Sequence, residues 1–145
     1  MNVRSILDAK GTAVATVTAE TSLGDAVAQL RDRRIGALVV SRDGKSIDGI
    51  LSERDVVAAL ATHGASVLGR SVESAMSRKV VTCQIDDAAE TLMATMTDGR
   101  FRHVPVVDEA GGLGGIISIG DVVKSRLGEL QSDNEALLEY LHQGR

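Results

Sequence analysis

Two short segments of the chain carry a serine followed three residues later by an aspartate, Ser52 with Asp55 and Ser118 with Asp121. Each serine predicts a helix N-cap, and the helix dipole favours a carboxylate in the first turn. Such a carboxylate can also accept hydrogen bonds from two vicinal ribose hydroxyls. The serine hydroxyl and the first-turn amides can meet a phosphate. Taken alone, these residues favour helix capping, and nucleotide binding is a second role that is compatible with it.

A second candidate for phosphate chemistry is the pair Arg102 and His103. They are adjacent in a predicted strand, so we expect their side chains on opposite faces, serving two clefts or one cleft and its rim. Arginine suits phosphate because its guanidinium can donate to two oxygens at once. The alternative is a charge pair at a solvated strand edge.

Other chemistries lack the residues they need. The glycines at 111–115 lack the spacing of a dinucleotide fingerprint, and no Gly-Lys-Ser/Thr phosphate loop is present. His63, His103 and His142 do not form a metal-ligand pattern, so we expect no metal. Cys83 is the single cysteine, which excludes an internal disulfide, and we expect it to be a buried thiol.

The composition is that of a globular protein. Of its 145 residues 43% are hydrophobic and 25% charged, which excludes a disordered chain. A net charge of −4 and an aromatic content of 1% argue against nucleic-acid binding. The sequence shows neither a signal peptide nor an apolar run long enough to cross a membrane, so we expect a cytoplasmic location without membrane contact.

The elements that must position these residues occur twice. Residues 49–57 recur as 115–123, an offset of 66, and the apolar phase agrees upstream, where Leu38 matches Val104. We therefore divide the chain into a first repeat with its N-terminal segment at 1–64, a linker at 65–78, a second repeat at 79–130 and a helical extension at 131–145. The counterparts of Arg102 and His103 in the first repeat are Gly36 and Ala37, so we expect two unlike clefts.

Each repeat has the predicted order strand, helix, strand, strand, helix. Ser22 is the expected cap of the first helix, and Asp86 or Asp87 that of its counterpart, which Gly99 should end. A unit of about sixty residues cannot bury both faces of a three-stranded sheet by itself. We expect an α+β fold in which two tandem β-α-β-β-α repeats pack sheet to sheet with pseudo-twofold symmetry.

The C-terminal extension carries an apolar stripe of Leu130, Leu137, Leu138 and Leu141. The stripe could pack on the protein's own surface or contribute to a dimer interface. The sequence gives these two interpretations equal weight.

The motifs resemble a known family. Gly-Ile-Leu-Ser-Glu-Arg-Asp at 49–55 and Gly-Ile-Ile-Ser-Ile-Gly-Asp at 115–121 are similar to the signature of CBS (cystathionine β-synthase) domains, and 101–108 resembles the strand that precedes it. Two tandem copies over residues 3–130 resemble a Bateman module, as in stand-alone bacterial CBS-pair proteins. The resemblance implies homodimers, a regulatory role and adenosine-containing ligands held in two clefts between the repeats.

The resemblance also places residues in each cleft, with core packing as the alternative for the apolar ones. In the Asp121 cleft, Arg102 and His103 would face phosphates and Gly36 and Ala37 would leave room for the nucleotide. The Asp121 cleft would comprise Thr18, Leu23, Ile35, Gly36, Ala37, Arg102, His103, Ile116, Ser118 and Asp121. The Asp55 cleft would comprise Gln84, Ala89, Phe101, Ile50, Ser52, Arg54 and Asp55. We expect ribose binding more strongly at Asp121 than at Asp55.

We therefore expect a regulatory sensor that binds an adenine nucleotide and modulates an unidentified partner protein. AMP leads because few cationic residues can be assigned to the clefts, and NAD(H) and ATP are the alternatives. The competing hypotheses are a structural dimerisation module without a functional ligand and a nucleotide-processing enzyme. The sequence supplies no convincing nucleophile and base for the latter.

Overall fold

The computed structural model describes residues 1–144. In that range the chain forms five α-helices and six strands, with two 3-10 turns at Ala65–Gly69 and Val72–Ser74. The helices are α1 (Val3–Lys10), α2 (Leu23–Arg33), α3 (Glu53–His63), α4 (Ala89–Gly99) and α5 (Ile119–Gln143). The strands are β1 (Thr16–Val17), β2 (Ala37–Val40), β3 (Gly49–Ser52), β4 (Cys83–Gln84), β5 (His103–Val107) and β6 (Leu113–Ser118).

Two three-stranded sheets repeat the same topology. In the order β1-β2-β3 and β4-β5-β6, the first pair is parallel and the second antiparallel. Ala37 faces Ser52 across β2 and β3, and His103 faces Ser118 across β5 and β6. Both pairs follow the offset of 66, so the internal repeat holds in the register of the sheets. The expected α+β fold of two tandem repeats is confirmed.

The central strand of the first sheet is covered on both faces. Leu38 and Val40 lie in the first hydrophobic core, whereas Ala37 and Val39, on the opposite face, are buried as well. Because side chains alternate across a strand, one layer cannot cover all four residues. The helices of the repeat cover one face and the other repeat covers the second.

The two cores are completed by segments that precede the opposite repeat. Helix α1 donates Val3, Ile6 and Leu7 to the second core, and the segment after α3 donates Val67 and Val72 to the first. Helix α1 thus lies in the second repeat's core, although it was grouped with the first repeat from its place in the chain.

Backbone hydrogen bonds dock these two segments in the same way. The Val3 amide donates to the Asp87 carbonyl (3.0 Å), and the Val72 amide to the Thr21 carbonyl (2.7 Å). Because Asp87 and Thr21 are 66 residues apart, Val3 and Val72 are structural equivalents, at an offset of 69. The pseudo-twofold relation therefore extends to these two leading segments. One forms the helix α1, and the other forms a 3-10 turn at Val72–Ser74 followed by a single bridge at Ser77.

The helix starts agree with expectation in three of four cases. The hydroxyls of Ser22, Ser52 and Ser118 cap α2, α3 and α5. The predicted capping of α4 by Asp86 or Asp87 is wrong. Ala88 occupies that N-cap, and the Asp87 carboxylate instead accepts a hydrogen bond from the Gln84 amide (2.8 Å).

Helix α5 continues into the expected C-terminal extension as far as Gln143, and Arg145 lies outside the described residues. The alternative that its leucines pack on the protein's own surface is not observed, since Leu130, Leu137, Leu138 and Leu141 are all exposed.

The close approach of each leading segment to a sheet requires a glycine. A methyl group at Gly49 would lie 2.7 Å from Met76 Sδ and 2.9 Å from the Ser77 carbonyl oxygen, whereas at Gly115 it would meet the Leu7 side chain at 2.8 Å.

We predict that Gly49→Ala lowers the free energy of unfolding by about 1–3 kcal/mol, the usual cost of overpacking. The matched variant Gly115→Ala should lose less, because the end of a leucine side chain can move and a backbone carbonyl cannot. Urea denaturation measures both, and equal losses would contradict this account.

Candidate functional site

A cavity of about 570 Å³, the Asp55 cavity, opens at the start of α3 between the two repeats. Its volume lies in the range of small-molecule sites. The first repeat contributes Gly36, Ile50, Ser52, Glu53, Arg54, Asp55 and Val57. The linker and the start of the second repeat contribute Ser77, Lys79, Val80 and Val81. The segment before β5 contributes Arg100, Phe101 and Arg102, and His103 is the first residue of β5.

The Asp55 carboxylate is fixed by the helix start on which it lies. Its Oδ2 accepts hydrogen bonds from the Ser52 amide (2.9 Å) and hydroxyl (3.1 Å), which completes a reciprocal cap with the Asp55 amide. Oδ1 accepts no hydrogen bond from residues 1–144. Capping therefore uses one carboxylate oxygen and leaves the other available to a ligand hydroxyl.

Cationic side chains surround the cavity. Arg54, Lys79, Arg100 and Arg102 line it and are exposed, and within residues 1–144 none of them forms an ion pair. Arg54 Nη1 instead donates to the Arg100 carbonyl (2.6 Å) and so links the two repeats. This cationic content exceeds the small number expected from the sequence.

The imidazole of His103 passes close to the first repeat. A methyl group at Gly36 would lie 2.9 Å from His103 Cε1 and 3.3 Å from Glu53 Oε1. Burial lowers the pKa of His103 below its usual value, and the negative charges of Asp121 and Glu53 offset this only in part. The nearby cations of Lys10 and Arg102 act in the same direction as burial. His103 is therefore a neutral hydrogen-bonding group at neutral pH, and it lies within electrostatic reach of both clefts.

The second serine and aspartate pair has the same cap and a different neighbour. Asp121 Oδ2 accepts from the Ser118 amide (2.8 Å) and also from Lys10 Nζ (2.6 Å). Burial acts to raise the pKa of Asp121, but the hydrogen bonds from Lys10 and Ser118 outweigh it and hold that pKa below its usual value. Lys10 Nζ also donates to the Ile116 carbonyl (2.8 Å).

The structure brings together most residues predicted for the Asp55 cleft. Ile50, Ser52, Arg54, Asp55 and Phe101 all line the Asp55 cavity. The two others do not line it. Gln84 is exposed elsewhere, and Ala89 is buried in the second core.

The residues predicted for the Asp121 cleft are distributed differently. Gly36, Arg102 and His103 line the Asp55 cavity instead. Arg102 and His103 both line this one cavity, as in the arrangement of one cleft and its rim expected for the pair, and His103 is the first residue of β5.

Only part of that predicted set remains near Asp121. Ser118 lies there because its amide donates to Asp121 Oδ2. Ile116 lies there because its carbonyl accepts from Lys10 Nζ, which also donates to Asp121. Leu23 and Ala37 are buried, and Ile35 packs against the first core. Thr18 is exposed, and its hydroxyl lies 3.0 Å from that of Thr21.

Sequence reasoning missed Arg100 and the apolar wall of Val57, Val80 and Val81. One signal could have identified Arg100, because Arg34 stands 66 residues before it and both take a left-handed backbone conformation at a helix end. The valines carry no such signal, since a β-branched run equally suits a core strand.

Two further properties bear on the class of protein. No helix within residues 1–144 is long and apolar enough to cross a membrane. The same residues contain no group of three or more His, Cys, Asp or Glu side chains placed to hold a metal ion.

Comparison with solved structures finds the same architecture in related proteins. The CBS-domain protein ATU1752 of Agrobacterium tumefaciens is 50% identical, with a TM-score of 0.81 over 86% of this chain and 98% of that one. Among relatives found by sequence, the CBS domain-containing protein YhcV of Bacillus subtilis is 29% identical, and the match covers 96% of each chain.

A third relative is longer than this chain. The mitochondrial CBS domain-containing protein CBSX3 of Arabidopsis thaliana is 32% identical over 88% of this chain, which spans 63% of that protein's length. The family model for the CBS domain matches twice, at residues 4–62 and 72–128. The two matches coincide with the two sheets and their helices, and the chain belongs to the CBS domain family as a tandem CBS pair.

Proposed function

We propose that this CBS pair is a regulatory protein that binds an adenine nucleotide, with AMP as the first candidate, in the Asp55 cavity and conveys its occupancy to a partner protein. One observation carries the proposal. A single cavity combines an apolar wall, a carboxylate oxygen with no partner in residues 1–144, and a cationic rim. These are the three surfaces that a base, a ribose and a phosphate require.

The charge of the cavity favours a nucleotide over an uncharged nucleoside. Four cationic side chains face the two carboxylates of Glu53 and Asp55, and His103 is neutral, so the lining carries a net charge of +2. A phosphate monoester at neutral pH carries a charge close to −2. AMP thus balances the cavity, whereas a ligand with a positive sulfonium group does not.

The apolar wall suits the base. Ile50, Val57, Val80 and Val81 form it with Phe101, which packs so closely on Gly99 that a methyl group there would overlap the ring. A ring held in this way presents a fixed face, and stacking on it stabilises a planar base.

Adenosine ligands in related folds support the general class. The CBS-domain protein PAE2072 of Pyrobaculum aerophilum, similar in fold at 22% identity and a TM-score of 0.71, was crystallised with AMP. The CBS pair of MJ0100, at 25% identity and a TM-score of 0.71, was crystallised with 5-methylthioadenosine and S-adenosyl-L-methionine. The choice of AMP for this chain rests on the charge of its own cavity.

A second copy of the chain is the partner proposed for α5. Its exposed residues Leu127, Leu130, Leu137 and Leu141 alternate at spacings of three and four with Asn134 between them, the a and d pattern of a coiled coil. A single asparagine at an a position specifies a two-stranded parallel register. This stripe, 61% exposed at Leu127, is the observation that favours dimerisation.

Ligand binding is tested by calorimetric titration of AMP, with ADP, ATP, NAD(H), S-adenosyl-L-methionine and adenosine as competitors. We predict that Asp55→Asn weakens AMP binding roughly 10- to 100-fold, because charge-assisted hydrogen bonds contribute about 1.5–3 kcal/mol. Asp25→Asn is the matched control, since Asp25 occupies the same helical position after the Ser22 cap of α2 and does not line the cavity. It should leave affinity unchanged. Equal affinity for AMP and adenosine, or no binding at all, would contradict the proposal.

The protonation of His103 gives an independent readout. We predict an NMR titration with a pKa below about 6.5, because burial disfavours the imidazolium. AMP should raise this pKa, since a phosphate nearby stabilises the cation. The unfolded chain binds the proton more readily, so the stabilisation from neutral His103 is complete above pH 6.5 and declines as the pH falls below it. His103→Gln should flatten that decline, and an unchanged pKa with saturating AMP would place the phosphate elsewhere.

The oligomeric state tests the role of α5. We predict that the chain sediments at twice its 15.2 kDa mass and that Leu137→Glu shifts it toward the monomer, because a charge would be buried in the dimer interface. Ser132→Glu, on the outward face of the same helix, is the control and should leave the dimer intact. A monomer at micromolar concentration in the unaltered chain would exclude this interface.

A further inference from the structure

The two clefts present the same serine and aspartate pair in different electrostatic states. Lys10 Nζ lies 2.6 Å from Asp121 Oδ2, and the two side chains are only 30% and 22% exposed. Asp55 has no such partner among residues 1–144 and opens into the Asp55 cavity. A half-buried ion pair therefore occupies the carboxylate of one cleft and leaves that of the other exposed to a ligand.

The lysine has a counterpart in the other cleft. Because Val3 and Val72 are equivalent, the offset of 69 places Lys10 opposite Lys79. Lys79 lines the Asp55 cavity and is exposed, without a bond to Asp55. Both clefts thus have an aspartate and a lysine, and they differ in whether the two are joined.

Backbone conformation explains the difference. Lys10 ends helix α1, whose apolar face is anchored in the second core, so its side chain is delivered to Asp121 and to the Ile116 carbonyl. In the first repeat the corresponding segment forms only a 3-10 turn at Val72–Ser74, and beyond it the backbone of Ser77 pairs with that of Ile50. The Ile50 carbonyl is therefore already satisfied, and Lys79 continues past it to the cavity rim.

We propose that Lys10 closes the Asp121 cleft to nucleotide by holding its carboxylate in an ion pair, so that each chain binds one nucleotide, in the Asp55 cavity. Lys10 is then the residue that determines which cleft is used. The inference rests on the proposed function, since it takes an adenine nucleotide as the ligand. It reverses the order expected from the sequence, in which Asp121 was the stronger ribose ligand.

The physical basis is displacement of the Lys10 ammonium group. Its Nζ lies 2.6 Å from Asp121 Oδ2 and 2.8 Å from the Ile116 carbonyl oxygen, so it occupies the space in front of both acceptors. Asp121 Oδ1 accepts no hydrogen bond from residues 1–144, so a ribose competes for the position of the ammonium group and must displace it from both acceptors. A ribose hydroxyl is neutral and cannot replace the positive charge of Lys10. Displacing Lys10 would leave the half-buried Asp121 carboxylate without a compensating charge, which is unfavourable. The apparent affinity of a ligand for such a cleft equals its intrinsic affinity multiplied by the fraction of time that the cleft is open.

The experiment is the stoichiometry of AMP binding measured by calorimetry. The unaltered chain should bind one AMP. Lys10→Met keeps the unbranched apolar stem, removes the charge and should bind two, with the second site at least about 10- to 100-fold tighter than in the unaltered chain, the factor that corresponds to one charge-assisted bond. In Lys10→Met with Asp121→Asn the second site should disappear again.

Lys79→Met is the matched control at the equivalent position. It should retain a stoichiometry of one while its affinity falls, since Lys79 lines the occupied cavity. Lys10→Ala provides a second variant if the methionine disturbs folding, and the melting temperature of each variant verifies that it is folded.

The outcomes separate this inference from the proposed function. If no variant binds AMP or another adenosine compound, the proposed function fails. If the unaltered chain binds two AMP molecules of similar affinity, Lys10 does not close the cleft although the function stands. If a folded Lys10→Met or Lys10→Ala still binds only one, the inference is overturned as well.

Discussion

A three-stranded sheet with helices on one side leaves its other face uncovered, and this constraint governs the architecture of the chain. Both faces of β2 are buried, which requires the second repeat as a cover. Each core is also incomplete without a segment that precedes the opposite repeat. Neither repeat is therefore an independent unit, and the clefts exist only where the two are held together.

The same helix starts provide helix caps and the carboxylates of the proposed binding sites. In both repeats the aspartate caps its helix through Oδ2 alone, so the capping role does not exclude the binding role. Capping also fixes the carboxylate before a ligand arrives, which reduces the conformational entropy lost on binding. Helix capping and ribose binding, the two roles predicted for these aspartates, would therefore use different oxygen atoms of the same carboxylate.

The features that could be predicted from the sequence depend on local pattern. The offset of 66 predicted two repeats with the same order of elements, and the registers of both sheets follow that offset. The serine caps predicted the start of α2, α3 and α5. The features that were missed depend on tertiary contacts. The packing of α1 in the second core and the placement of Arg102 and His103 at the Asp55 cavity arise from contacts between segments far apart in the chain.

The difference between the clefts arises from backbone conformation more than from residue type. Lys10 and Lys79 are the same residue at equivalent positions, and a comparison of residue types alone would treat the clefts as alike in this respect. Lys10 is the last residue of a helix of eight residues, whereas Lys79 follows Ser77, whose backbone pairs with that of Ile50 in β3. A repeated sequence can therefore acquire two unlike sites through the secondary structure of the segment that leads into each repeat. In the proposed arrangement, this difference in backbone conformation keeps the Asp121 cleft closed while the Asp55 cavity stays open to ligand.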